Sequence, residues 1–206
     1  MKHKSLIVAL ALTTIMFGCA TPQQSDNEVI YAVKTDGKWG FVDQTGQFKI
    51  NPQYEDVWNF AENNLAAAKM NGKWGFIDKS GKFVIEPQFD YAASFAKNGL
   101  ARASQGDKLG FIDKTGQFAI KPIYEKEDNF ADNGLARVTL NGKSGFIDGT
   151  GNFVVEPIYD ITFNFDDNGY AWVVLNSKYG LIDKSGKVVI EPQFENYKDA
   201  AFFVIK

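Results

Sequence analysis

The sequence predicts an all-β protein: a tandem array of five 35-residue antiparallel β-meander repeats. Three observations carry that reading. Pro52, Pro87, Pro122, Pro157 and Pro192 follow one another at an unbroken interval of 35 residues. Gly40, Gly75, Gly110, Gly145 and Gly180 keep the same interval, as do Gly46, Gly81, Gly116, Gly151 and Gly186. Between these markers, short runs of alternating apolar and polar residues are bounded by turn-forming pairs, which is the pattern of half-buried strands.

Each repeat reads as three strands and a long connection, with residues 65–99 as the type. The first strand, Leu65–Lys69, runs into Asn71-Gly72. A two-residue hairpin of the primed kind needs φ > 0 at both central positions, and Asn-Gly supplies it. Asp36-Gly37 and Asn141-Gly142 match it, while Gly106-Asp107 and Asn176-Ser177 are looser variants. The second strand, Trp74–Asp78, leads into Asp78-Lys79-Ser80-Gly81. There the Asp accepts from the turn backbone and the Gly takes the left-handed conformation. Asp43, Asp113, Asp148 and Asp183 repeat this turn. The third strand, Lys82–Phe89, carries Pro87 near its end, where a missing N–H is tolerated. The connection, residues 90–99, holds Phe95, matched by Phe60, Phe130 and Phe165, and closes on Asn98-Gly99. A short helical or irregular turn, pinned by the Phe, is expected there.

Alternation assigns the faces. Phe83, Ile85 and Phe89 point to one side of the third strand. Glu86 and its counterparts Asn51, Lys121, Glu156 and Glu191 point to water. On the second strand Trp74 and Phe76 share a side, and Gly75 and Ile77 share the other. A glycine repeated at that place implies close approach of a neighbouring ring or backbone. One unit buries too little to fold alone, so stacking must complete the core. The first strand occurs six times, at Ile30–Lys34, Leu65–Lys69, Leu100–Ser104, Leu135–Thr139, Tyr170–Val174 and Ala201–Ile205. The other strands occur five times. Unequal counts favour an open, twisted array with the last strand as a cap over a closed five-bladed propeller.

The run Lys73-Trp74-Gly75-Phe76-Ile77-Asp78, continued by Ile85-Glu86-Pro87-Gln88-Phe89, resembles the WG (KWG) repeat family of bacterial proteins, from Val29 to Lys206. The resemblance implies a β-rich repeat protein whose members share no common activity, built for interaction or scaffolding more than for catalysis. Leu109, Ser144 and Tyr179 replace the Trp in the last three copies.

The N-terminus reads as a targeting segment. Lys2 and Lys4 precede an apolar run from Leu6 to Phe17, of signal-peptide length and short for a membrane span. Gly18-Cys19 resembles the end of the bacterial lipoprotein signal, with Met16 and Phe17 departing from the preferred residues. By that resemblance residues 1–18 are removed and Cys19 is diacylated, enough for stable anchoring in membrane lipid. Ala20 after the cysteine resembles the sorting pattern for the outer membrane of a Gram-negative host. Residues 19–28 then form a flexible tether, and residues 29–206 form the repeat domain.

Several chemistries are excluded. Cys19 and His3 are the only residues of their kinds, so the mature chain has no Ser-His or Cys-His pair and no Cys-based zinc site. Without the leader the chain has 20 basic and 25 acidic residues, a balance that argues against nucleic acid. Asp78 and its copies are expected to be turn formers, because a catalytic acid is not needed five times. Residues 164–169 fit the first half of a calcium loop, but Leu175 stands where a bidentate Glu is required. That stretch, and the similar Glu127, Asp128 and Asp132, read as solvated loops. No cofactor, metal or catalytic residue is expected.

A surface remains. Trp39, Trp74 and Tyr179 share one position of the repeat, and Arg102, Arg137 and Trp172 share another. Both positions vary between copies, so either they are exposed and form a ridge for a partner, or the Trp rings simply cover their neighbours. The expected function is that of a non-enzymatic, membrane-anchored envelope scaffold for another protein. The alternative is a carbohydrate or peptidoglycan binding module that uses the aromatic row.

Overall fold

A computed structural model describes residues 29–196. Among the described residues, nineteen strands form five antiparallel sheets that follow one another in sequence. The first sheet holds β1 (Tyr31–Thr35), β2 (Lys38–Val42) and β3 (Phe48–Tyr54). The second holds β4 (Asp56–Val57), β5 (Ala66–Met70), β6 (Lys73–Ile77) and β7 (Phe83–Phe89). The third holds β8 (Tyr91–Ala92), β9 (Ala101–Gln105), β10 (Lys108–Ile112) and β11 (Phe118–Tyr124). The fourth holds β12 (Lys126–Glu127), β13 (Ala136–Leu140), β14 (Lys143–Ile147) and β15 (Phe153–Tyr159). The fifth holds β16 (Ile161–Thr162), β17 (Tyr170–Leu175), β18 (Lys178–Asp183) and β19 (Val188–Phe194).

The array is open, and its substantial strand contacts run within a sheet or between consecutive sheets. No helix among the described residues is long and apolar enough to cross a membrane. The leader, Cys19, the tether and the expected cap at Ala201–Ile205 lie outside the described residues.

The three long strands of each repeat start within one or two residues of their expected places. The connection takes the irregular of its two expected forms, but its first residues form a fourth strand that opens the next sheet, with Tyr91 paired to Ser104 and Ala92 to Ala103. The chain leaves Phe89 still extended, and Asp90 and Ala93 donate to the carbonyls of Ser104 and Arg102 (3.1 and 3.0 Å). Those acceptors belong to a strand not yet reached in sequence, so local pattern does not reveal them.

Turn chemistry follows expectation. Asn71 and Gly72 have φ of 53° and 76°, and Asn176 and Ser177 adopt the same shape at 53° and 62° without a glycine. One oxygen of Asp113 accepts from the backbone of Thr115 and Gln117 (2.8 and 3.2 Å) and from the Thr115 hydroxyl (2.6 Å). The Thr45 hydroxyl, aided by the N–H groups of Gln47 and Thr45, holds Asp43 down to about 2 against burial.

The predicted close approach at the strand glycine is a backbone approach. A Cβ on Gly75 would lie 2.4 Å from the Ile85 carbonyl oxygen and 2.8 Å from the Pro87 nitrogen. The register jumps there: Trp74 pairs with Phe89, Phe76 with Ile85 and Ile77 with Phe83. The longer strand therefore bulges over the glycine, with the proline in the bulge.

The core sits in the seams between sheets. The second and third sheets bury Trp74, Phe76, Ile85 and Phe89 of one against Ala92, Phe95, Ala101, Ala103 and Ile112 of the other. The Phe of each connection reaches back to the strand Phe of the preceding sheet. Phe76 and Phe95 have ring centroids 4.7 Å apart, Phe111 and Phe130 4.6 Å, and Phe146 and Phe165 4.7 Å. Because each cluster needs two sheets, no repeat owns a core, which is the physics of a repeat array.

Candidate functional sites at the seams

Three of the short opening strands, β8, β12 and β16, present a main-chain carbonyl to the preceding sheet, and a side chain of that sheet caps it. Trp58 Nε1 donates to Ala92 O (3.0 Å), Arg102 Nη1 to Glu127 O (2.6 Å) and Arg137 Nη1 to Thr162 O (2.7 Å). Arg102 also donates to Asn129 Oδ1 (2.9 Å) and the Tyr91 hydroxyl (3.1 Å), and Arg137 pairs with Asp128 at 2.6 Å. These arginines, expected on an open ridge, are half-buried staples between sheets. Trp172, their counterpart in the fifth sheet, is half-buried as well.

At the aromatic position the rings cover their neighbours and form no open ridge. Trp74 is only 6% exposed. Its ring stacks on Trp58 (6.5 Å, 24°) and meets the edge of Tyr91 (6.4 Å, 64°). Tyr179 is half-buried and stacks on Phe163 at 6.4 Å and 27°, and Trp39 is half-buried with the Lys34 ammonium 5.7 Å from its ring centroid. Variation between copies reflects a changing partner here, not an exposed position. The stacking partners Trp58, 44% exposed, and Phe163, 40% exposed, are the rings of these pairs that face water. Sequence reasoning missed both, because their position carries Ala93 in the third sheet and Asp128 in the fourth. The signal was a coupling at a separation of 16 residues. Trp58 goes with Trp74 and Phe163 with Tyr179, whereas Ala93 goes with Leu109 and Asp128 with Ser144.

In the fourth sheet both rings of that pair are absent, and a cleft of about 670 Å³ opens against the fifth sheet. Asp128, Ser144 and Ile161, which stand where the second repeat has Trp58, Trp74 and Tyr91, all line it, with Arg137, Thr139 and Thr162. Thr139 Oγ1 and Ser144 Oγ are 3.3 Å apart. Thr162 is fully buried and its hydroxyl has no hydrogen-bond partner. Glu127 also lines the cleft, is 6% exposed, and neither of its carboxyl oxygens has a partner. It pairs with Val138, whose side chain packs against Phe111 and Tyr124, so its own side chain turns toward the third sheet. Burial pushes this carboxyl up to about 9, with the Arg102 charge opposing and Asp128 adding to the rise.

A second feature lies on β7, β11, β15 and β19, each the last strand of its sheet. Val84, Ile123, Ile158 and Val189 stand about half exposed on their outer faces, alternating with exposed Glu86, Lys121, Glu156 and Glu191. Among the described residues, no group of three or more His, Cys, Asp or Glu side chains is placed to hold a metal ion. In the half-loop at residues 164–169, Asp166 Oδ1 accepts from the N–H groups of Asn168 and Tyr170 (3.0 and 2.9 Å), as a turn former does.

In sequence, the profile of the WG containing repeat matches residues 39–74, 74–108, 110–143, 145–179 and 179–200. No protein of curated function matches the chain. Among solved structures, the chain is similar to Hsv2p of Kluyveromyces lactis, at 12% identity and a TM-score of 0.50 over 77% of this chain and 58% of that one. It is similar also to a eukaryotic initiation factor, at 13% identity and a TM-score of 0.50 over 84% of this chain and 51% of that one. The chain thus spans little more than half of either structure, and the likeness is one of fold alone.

Proposed function

The chain belongs to the family built from the WG containing repeat, and from that premise we propose that it is a non-enzymatic envelope lipoprotein acting as a scaffold for another protein. The observation that carries this reading is the outer apolar row on the last strands, made of two repeat positions four residues apart, Val84 with Val189 and Ile123 with Ile158. Val84, Ile123, Ile158 and Val189 are large apolar residues left about half exposed in four successive sheets, each beside a charged residue. Apolar groups rimmed by charge suit a protein partner. Each of these strands also ends its sheet, so its outer backbone groups have no strand beside them within the sheet, and an extended segment of a partner can pair there. The anchor is Cys19, through which the acylated chain is held to membrane lipid, in the outer membrane if the host is Gram-negative. The aromatic-row reading loses support, because Trp74 is buried and Trp39 and Tyr179 are half covered.

The test is a pull-down from envelope extract with the full-length lipoprotein. Ile123→Asp with Ile158→Asp is expected to lose the partner that wild type retains, with an unchanged melting temperature. An identical set of bound proteins would sink the scaffold surface. Cys19→Ser, fractionated in parallel, is expected to leave the membrane pellet, and its retention there would sink the anchor.

A further inference from the structure

We propose that the cleft between the fourth and fifth sheets is a binding site for a polyhydroxylated ring, one or two sugar residues in size. It lies away from the outer apolar row and does not depend on the scaffold reading.

The cleft exists because two aromatic fillers are missing together. In the second sheet Trp74 fills the seam, stacked on Trp58 and edged by Tyr91. In the fourth, Ser144 and Asp128 stand at the first two places. Protein interiors are close-packed, and a seam that loses two rings is expected to be refilled by apolar groups or to close. The third sheet does the former, with Leu109 and Ala93. The fourth keeps the space open and lines it with hydroxyls.

One of those hydroxyls lacks a partner. Thr162 is fully buried, and its Oγ1 makes no hydrogen bond. It pairs with Val173, which packs against Phe146 of the fourth sheet, so its side chain lies on the face that meets the cleft. A buried hydroxyl left unsatisfied costs about 1–3 kcal/mol, which a donor or acceptor on a ligand would remove. Thr139 and Ser144 offer two more hydroxyls, 3.3 Å apart. The Asp128–Arg137 pair sets an acceptor beside planar donors at 2.6 Å, an arrangement that two neighbouring ligand hydroxyls can bridge. Ile161 supplies an apolar wall for the C–H face of a ring.

Charge selects among ligand classes. Asp128 is held by Arg137. Asp160 is held by Lys143 (2.6 Å) and the Asn176 N–H (2.7 Å). Glu125 is held by Lys108 (3.5 Å) and by the N–H groups of Asn141 and Gly142 (3.1 and 2.9 Å). Glu127 turns its carboxyl toward the third sheet, and burial keeps it protonated at neutral pH. Lys126 is exposed at the rim. The interior therefore offers hydroxyls and a neutralised pair, and a neutral polyol satisfies these where a phosphate or an ammonium group would not. A volume of about 670 Å³ suits one or two such rings.

The experiment is saturation-transfer NMR on the full-length lipoprotein in detergent. The probes are glucose, N-acetylglucosamine and their β-1,4 disaccharides, with inorganic phosphate and ethylamine as charged controls, and sedimentation with insoluble peptidoglycan as a separate arm. Transfer to at least one sugar, and none to phosphate or ethylamine, is expected. Binding to peptidoglycan alone would identify the source as polymer; binding to free sugars alone, as soluble saccharide. Ser144→Trp restores a ring that the same place accepts in the second sheet, so this variant is expected to fold, melt no lower than wild type and lose the signal. Thr162→Val, close in shape, is expected to weaken binding about tenfold with no fall in melting temperature. No transfer to any sugar in either arm, or a signal that survives Ser144→Trp, would overturn the assignment.

Discussion

Gly75 lies directly beneath the peptide that ends in Pro87, with room there for a hydrogen and nothing larger. The same relationship holds in every copy, from Gly40 and Pro52 to Gly180 and Pro192. It explains why these two residues repeat in step: the proline sits in the bulge, and the bulge occupies the space a side chain would need. Gly110→Ala puts a methyl 2.5 Å from the Ile120 carbonyl oxygen, against backbone that cannot turn aside. We expect a loss of about 2–4 kcal/mol, read as a lower urea midpoint. A midpoint equal to wild type would mean that the two strands are free to separate there.

The hairpin at Asn176-Ser177 makes the opposite prediction. Ser177 holds φ of 62°, a conformation that Gly37, Gly72 and Gly142 adopt at the matching place without a Cβ. Ser177→Gly is expected to stabilise the protein by about 1 kcal/mol, the cost of a left-handed non-glycine residue. Thermal melting checks it, and an unchanged or lower midpoint would refute the strain at this turn.

Glu127 makes stability fall with pH. Its folded value is raised from 4.5 to about 9, mainly by burial, with Arg102 opposing and Asp128 reinforcing. Between those two values the folded protein holds a proton that the unfolded chain releases, so this group's contribution is full below 4.5 and is lost as pH rises toward 9. At pH 7 the loss amounts to about 3 kcal/mol. Glu127→Gln cannot ionise, so its melting temperature is expected to exceed that of wild type at pH 8 and to converge with it near pH 5. Parallel melting curves across that range would show that Glu127 stays ionised in the folded state.

What the sequence made legible is local. Asn71-Gly72, the Asp78 turn and the bare Gly75 each state a backbone requirement in their own residue types, and each was read correctly. The Trp74 position leaves two readings open in the sequence, because three copies replace the ring and replacement fits exposure as well as a change of neighbour. The ring is tied to the residue 16 places earlier, so Ser144 means something only beside Asp128. The short strand Tyr91–Ala92 and the arginine staples were invisible for a related reason. Their partners, Ala103 and Ser104 for the strand and the carbonyls of Glu127 and Thr162 for Arg102 and Arg137, belong to a different part of the repeat or to the next sheet, and no local period records them.

Those staples predict how the array comes apart. Arg137 Nη1 is the donor to the Thr162 carbonyl across the fourth seam, and the same side chain pairs with Asp128. Arg137→Met keeps much of the packing volume but strands both acceptors, one of them on a fully buried residue. The expected cost is about 2–3 kcal/mol. Because neighbouring sheets couple only through their seams, the damage is expected to localise. Hydrogen exchange should quicken at β16 to β19 while β5 and β6 keep their protection. Uniform quickening along the chain would mean that the five sheets unfold as one unit and that the fourth seam has no separate stability.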